Sequence, residues 1–129
     1  MNIELDKKLC ATYPKIFAQR GESPRNTAMC WGFDCGDGWY GILDRLCAKI
    51  TEHVNKTPDL NVEAVQVKEK FGGLRFYISS GDDTIYDYIN AAEIESLKTC
   101  ELCGSTEKVT QNPEGWIYSR CAKCRKKED

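Results

Sequence analysis

Four of the eight cysteines in this 129-residue chain form two pairs, Cys100 with Cys103 and Cys121 with Cys124, in the pattern C-x2-C-x17-C-x2-C. Two residues between thiols let both sulfurs of one tight turn face the same ion. Two such turns complete a tetrahedron, so the spacing fits a Zn2+ site. Gly104, directly after the first pair, allows the backbone reversal of a metal knuckle. With every position taken by a thiolate, no place remains for water or substrate, and the expected role of one zinc ion is structural. Between the pairs, residues 108–110 and 116–118 read as short strands joined by a turn over Asn112-Pro113-Glu114-Gly115, a zinc-ribbon layout.

Other residues carry weaker signals. Cys30 and Cys35 have a ligand-like spacing, and with Cys10 and Cys47 they are read either as buried thiols or as part of a second metal site. Asp34 and Asp37, in a Gly-rich segment, suit either a divalent ion and acid/base work or turn formation and helix capping. His53, alone of its type, has no Ser, Cys or Asp placed by sequence to make it a catalytic base, and reads as a surface or dipole-facing residue. Lys68, Lys70 and Arg75 flank Gly72-Gly73. With Tyr77 they form either a basic-aromatic strand face for a phosphate or base, or ordinary exposed strand charges. Arg120, Lys123, Arg125, Lys126 and Lys127 are candidate phosphate contacts, set against a solvated tail that offsets zinc-thiolate charge. Trp31, Trp39, Phe71 and Phe76 are expected in the core. No P-loop, dinucleotide-binding fingerprint or nucleophile elbow is present in the sequence.

The elements that would hold these groups follow from periodicity. Leu5, Leu9 and Tyr13 predict a first helix ended by Pro14. Asp37 is the expected N-cap of a long helix with the stripe Trp39, Ile42, Leu43, Leu46, Ile50 and Val54, stopped at Thr57-Pro58. Val65 and Val67 face one side of a strand, and Leu74 to Ile78 alternate cleanly in a second. Gly72-Gly73 would supply the positive φ angles of a hairpin turn between them. Asp82 or Asp83 caps a further helix with the face Ile85, Ile89 and Ala92.

Composition bounds the classes. With 41% hydrophobic and 29% charged residues, 4 Pro and 10 Gly, the chain is neither disordered nor collagen-like. No apolar run nears the roughly 18–20 residues of a membrane helix, so no membrane partner is expected. The opening residues Met1 to Asp6 are acidic and mixed, unlike a secretory signal. A cytoplasmic chain follows, in which thiols stay reduced and cysteines serve as ligands or apolar fillers. Net charge is −2. Residues 1–99 carry 12 basic and 15 acidic groups, and residues 100–129 carry 6 and 5, so no broad basic field exists for nucleic acid.

Two segments, Cys30-Trp31-Gly32-Phe33-Asp34-Cys35-Gly36-Asp37-Gly38-Trp39-Tyr40 and Val67-Lys68-Glu69-Lys70-Phe71-Gly72-Gly73-Leu74-Arg75-Phe76-Tyr77, stand between Tyr13-Pro14 and the two C-x2-C pairs. Together they resemble a family of short bacteriophage and prophage proteins of unsettled activity. The resemblance implies a phage-encoded accessory protein acting in a bacterial cytoplasm. It marks Trp31, Asp34, Asp37, Trp39, Lys70, Arg75 and Tyr77 as candidate binding positions and assigns no catalytic residue. The expected architecture is α+β: a helix–helix–β-hairpin–helix domain over residues 1–98, followed by a four-cysteine zinc ribbon over 99–129. The leading expectation is a non-enzymatic zinc-containing protein that binds a host protein or a signalling nucleotide, with host-defence antagonism as its context. A nucleic-acid-binding ribbon and a metal-dependent phosphodiesterase built on Asp34 and Asp37 are the alternatives.

Overall fold

In the computed structural model, which describes residues 1–126, the chain is a mixed helix-and-sheet fold with its four C-terminal cysteines clustered. Helix α1 (Ile3–Thr12) begins at Asn2, whose side chain accepts from Leu5 N–H at 2.9 Å, and stops before Pro14. A 3-10 turn, Ala28–Trp31, is capped by the Thr27 hydroxyl. Strand β1 (Phe33–Asp34) follows, then a second 3-10 turn, Asp37–Trp39. Helix α2 (Tyr40–Lys56) turns Ile42, Leu43, Leu46, Cys47 and Ile50 inward, the spacing that keeps one helical face in the core. Strands β2 (Ala64–Lys70) and β3 (Gly73–Ile78) form the hairpin, and helix α3 (Asp83–Ser96) is capped by Asp82. Thr57 is the residue that closes α2. In the cysteine module, β4 (Thr110–Gln111) pairs antiparallel with β5 (Ser119–Arg120), and α4 (Ala122–Lys126) carries Cys124.

The main sheet has the order β1-β2-β3, with β1 parallel to β2 and β2 antiparallel to β3. One core joins α1, α2, α3 and the sheet through Leu9, Phe17, Phe33, Trp39, Leu43, Ile50, Val67, Leu74, Phe76 and Ile85. Phe17 meets Phe33 edge-on at 4.9 Å between ring centroids, a favoured aromatic geometry. The outer edge of β3 is not left open: Leu74 N–H donates to Ser96 Oγ at 2.9 Å and Phe76 N–H to Glu93 Oε2 at 3.1 Å. Side chains of α3 thus satisfy the edge amides that would otherwise template another strand.

Several expectations need correction. The β1 strand was invisible to periodicity because only two residues pair. A bulge between Ala64 and Gln66 makes Ala64 and Val67 the buried pair of β2, in place of Val65 and Val67. The hairpin turn is Phe71-Gly72, with φ of 54° and 82°, because Lys70 pairs with Gly73. Positive φ at both central residues is the primed turn whose twist suits a two-residue hairpin. The strands between the two cysteine pairs lie at Thr110–Gln111 and Ser119–Arg120. Residues 116–118 are instead loop, held by Asn112, which donates to the carbonyls of Glu114 and Trp116 and accepts from Tyr118 N–H. Asp37 does not cap α2. Its carboxylate accepts from the backbone and side-chain amides of Asn2 at 2.7 and 3.0 Å, tying the start of α1 to the second 3-10 turn.

Candidate functional site: a four-cysteine centre and the cleft beside it

The sulfurs of Cys100, Cys103, Cys121 and Cys124 all lie within 4.8 Å of one another, and Cys103 Sγ stands 3.6 Å from Cys121 Sγ. Tetrahedral coordination with metal–sulfur bonds of about 2.3 Å places sulfurs about 3.8 Å apart. The four thiols therefore fit one metal ion. Cys100, Cys121 and Cys124 are buried, and Cys103 is exposed. Local backbone shapes the knuckle: Gly104 has φ +81°, and its N–H donates to the Cys100 carbonyl at 2.9 Å. Burial opposes ionisation of Cys100, but the N–H groups of Cys121, Cys103 and Leu102 together outweigh it and bring the thiol down to about 6. The Cys124 N–H lowers Cys121. Burial, then the neighbouring Cys121 and Cys100 sulfurs, push Cys124 up to about 12. Four thiolates at this separation would repel one another, and a divalent cation held between them would relieve that repulsion.

The module sits on a seam made by the segments over residues 30–40 and 67–77. Gly38 N–H donates to the Glu101 carbonyl at 2.7 Å, Gly36 N–H to Glu101 Oε2 at 2.9 Å, and Trp39 Nε1–H to the Thr99 carbonyl at 3.0 Å. A Cβ on Gly38 would stand 2.1 Å from the Cys100 oxygen, and one on Gly36 would stand 2.3 Å from the Glu101 oxygen. Glycine is required at both positions because the first knuckle presses backbone against backbone. On the other side Ser119 Oγ donates to the Gly72 carbonyl, and a Cβ on Gly72 would meet Ile117 at 3.1 Å. Gln111 Nε2 donates to the Leu97 carbonyl at 2.8 Å. The cysteine module and the hairpin domain are thus joined by directed contacts on two sides.

Between them opens a cleft of about 600 Å³, lined among others by Asp34, Lys68, Glu69, Lys70, Phe71, Glu101 and Trp116. Phe71 and Trp116 are 68% and 78% exposed. Of the candidate binding positions, the structure brings Asp34 and Lys70 to this cleft. Arg75 and Tyr77 lie on the outward face of β3, with Arg75 Nη1 donating to the Leu74 carbonyl at 3.0 Å. Trp31 is 72% exposed elsewhere, and Trp39 is fully buried, so it acts as a core and seam residue rather than a contact surface. Of the four aromatics expected in the core, Trp39 and Phe76 are there while Trp31 and Phe71 are not. Phe71 occupies left-handed backbone that a bulky side chain disfavours by about 1–3 kcal/mol.

The basic residues near the end are partly engaged. Arg120 stacks over Tyr118 at 4.0 Å, while Arg125 donates to the Thr110 carbonyl and hydroxyl and also lies over Tyr118. Lys123 is exposed, Lys126 ends α4, and Lys127 lies outside the described residues. Among the described residues, the only group of three or more potential metal ligands is the four-cysteine set, which includes neither Cys30 and Cys35 nor Asp34 and Asp37. Cys35 and Cys47 are buried. Burial pushes the Cys35 thiol up to about 12 and that of Cys10, with Asp6 nearby, up to about 11. Arg20 pairs with Asp6 at 3.2 Å, and its Nη1 donates to the Cys30 carbonyl. A Cβ on Gly32 would meet Asp6 at 2.6 Å, so this glycine of the first segment serves that ion pair. His53 meets the Asp82 carboxylate at 2.7 Å, linking the end of α2 to the cap of α3. Sequence reasoning missed Thr99, Glu101, Phe71 and Trp116. The glycines on either side of Asp37 were the available signal for the first two.

No family model, curated protein or solved structure matches this chain. Among the described residues no helix is long and apolar enough to cross a membrane.

Proposed function

We propose that the four cysteines hold one structural zinc ion and that the chain is a non-enzymatic binding protein. On this reading it is a phage-encoded accessory protein that occupies a host protein or a signalling nucleotide in the bacterial cytoplasm, with host-defence antagonism as the setting. The observation that carries it is the closed four-sulfur set at a docked seam. A centre whose ligands are all thiolates has no position for a substrate, and its place against Gly36 and Gly38 makes it a support for the neighbouring cleft. Zinc supplies charge neutralisation and a rigid cross-link there. The residues of the chain do the recognising, and among them those lining the cleft are held in place from both sides.

Neither alternative gains a specific support. Arg125 is already committed to Thr110, and the Asp37 carboxylate to Asn2. Native mass spectrometry of gently purified protein, together with a turnover assay in Mg2+ and Mn2+, tests the proposal. One zinc per chain, a stoichiometric ligand or partner mass and no turnover are the expected results. No metal, or cleavage of a phosphodiester lost in Asp34→Asn, would overturn it.

A further inference from the structure

We propose that the cleft and the strand face beside it bind a nucleoside monophosphate, with the base against Trp116 and the phosphate on Lys68, Lys70 and Arg75. This inference rests on the binding-protein reading and names its ligand class. The register of the hairpin is the first support. Lys68 stands directly opposite Arg75, and Lys70 follows two residues along β2. Val67, Leu74 and Phe76 between them are buried, so the alternation of a strand turns all three cations to the outward face. Like charges directly opposite one another weaken a sheet, and among the described residues none of the three takes part in an ion pair. Asp34, in register with Lys68, is the one carboxylate that the same alternation places on this face. Three positive charges against one negative leave an excess of two. A phosphate monoester carries about −1.5 to −2 at pH 7.

The cleft supplies the place for the base. Lys68 and Lys70 line it together with Trp116, so the strand face and the cleft are continuous. Its other two carboxylates are answered from within the chain. Glu69 lies opposite buried Leu74, on the inward face of β2, and its Oε2 accepts from Gly72 N–H at 2.9 Å. Glu101 Oε2 accepts from Gly36 N–H at 2.9 Å, and Glu101 has Glu69, Arg120 and the Met1 ammonium within electrostatic reach. Two cations thus stand against these two carboxylates, and Lys68, Lys70 and Arg75 are left facing Asp34 alone. Lys70 Nζ already lies 5.6 Å over the Phe71 ring, whereas no ring or cation pairs with Trp116 among the described residues. Trp116 is 78% exposed on a loop that Asn112 locks through three backbone contacts. A free indole held in place beside cations is a stacking platform for a base next to its phosphate. The volume of about 600 Å³ is that of a small-molecule site.

The test titrates the 15N-labelled, metal-loaded full chain with AMP, GMP, CMP and UMP, and with their nucleosides, inorganic phosphate and acetyl-Gly-Glu-Gly-amide. At least one nucleotide should give saturable shifts at both the Trp116 indole N–H and the Lys70 and Arg75 amides. Its nucleoside, phosphate and the Glu peptide should each bind at least tenfold more weakly. Lys68→Gln relieves the repulsion with Arg75, so it should fold as the parent does while weakening nucleotide binding tenfold or more. Trp116→Ala should weaken nucleotide and nucleoside alike. Lys7→Gln makes the same charge change on the exposed surface of α1, and should leave nucleotide binding within twofold. No binding of any nucleotide, phosphate bound as tightly as the best of them, or equal effects of Lys68→Gln and Lys7→Gln would overturn the inference. Preferred binding of the Glu peptide would also overturn it, while leaving the binding-protein reading standing. That reading fails separately, by turnover or by absence of metal.

Discussion

Replacing Gly38 by alanine puts a methyl group 2.1 Å from the Cys100 oxygen, 2.6 Å from Gly104 N and 2.7 Å from the Glu101 carbonyl carbon. A carbon–oxygen contact needs about 3.3 Å, so the seam must open by about 1 Å, and the neighbours that must move are all backbone. That movement takes the Gly38 N–H bond to Glu101 beyond useful length and misaligns the Gly36 and Trp39 Nε1 bonds beside it. Each buried polar group left unpaired costs about 1–3 kcal/mol. Alanine returns about 0.4–1 kcal/mol by restricting the unfolded chain, and Gly38 is not among the positive-φ glycines, so no backbone strain enters. A net loss of about 2–4 kcal/mol follows, or roughly 8–15 °C in Tm for a chain of this size. Thermal and urea unfolding of the metal-loaded protein measures it, alongside a chelator competition in which Gly38→Ala should release metal at least tenfold more readily. Gly21→Ala is the control, since nothing lies within 4 Å of its Cβ position, and should match the parent or exceed it by up to about 1 kcal/mol. A Gly38→Ala protein as stable as that control would refute the close-approach reasoning.

Cys121→Ser removes one of the four clustered thiols, and should abolish stoichiometric metal retention by elemental analysis and lower Tm. Trp39→Phe deletes the indole N–H that satisfies the Thr99 carbonyl, and should cost about 1–3 kcal/mol in urea unfolding while leaving one metal per chain. The His53 contact, then the Ile85 N–H, holds the Asp82 carboxyl below its ordinary range. Stability from that group is present above the usual carboxylate pKa and is lost as pH falls through the lowered folded value. Asp82→Asn should therefore flatten the acid limb of the stability profile below about pH 4. Burial raises the Cys35 and Cys47 thiols, so both should resist iodoacetamide at pH 8 until the chain unfolds, as read by peptide mass mapping.

The long periodic elements were legible because their faces repeat. The stripe from Ile42 to Ile50 and the cap at Asp82 are where periodicity and capping chemistry put them. The cysteine cluster was legible because ligand spacing is itself geometry. The rest depended on contacts distant in sequence. Gly36 and Gly38 read as turn punctuation before a helix, but their necessity comes from residues more than sixty positions later. The hairpin turn fell one residue earlier than Gly72-Gly73 suggests because cross-strand register, Lys70 with Gly73, overrides the glycine preference and leaves Phe71 in left-handed backbone. Asp37 left its expected capping role because Asn2, thirty-five residues away, offers it two donors. Trp31 and Phe71 are exposed, and nothing in local pattern separates an exposed aromatic from a core one.

The central claim is that the four-cysteine module and the hairpin form one cooperative unit through the glycine seam. Amide hydrogen exchange of the full chain, with and without a strong chelator, tests it most directly. Metal removal should speed exchange of the Gly36 and Gly38 amides, which donate to Glu101, together with amides of the cysteine module. Acceleration confined to residues 97–126, with the Gly36 and Gly38 amides unchanged, would contradict it.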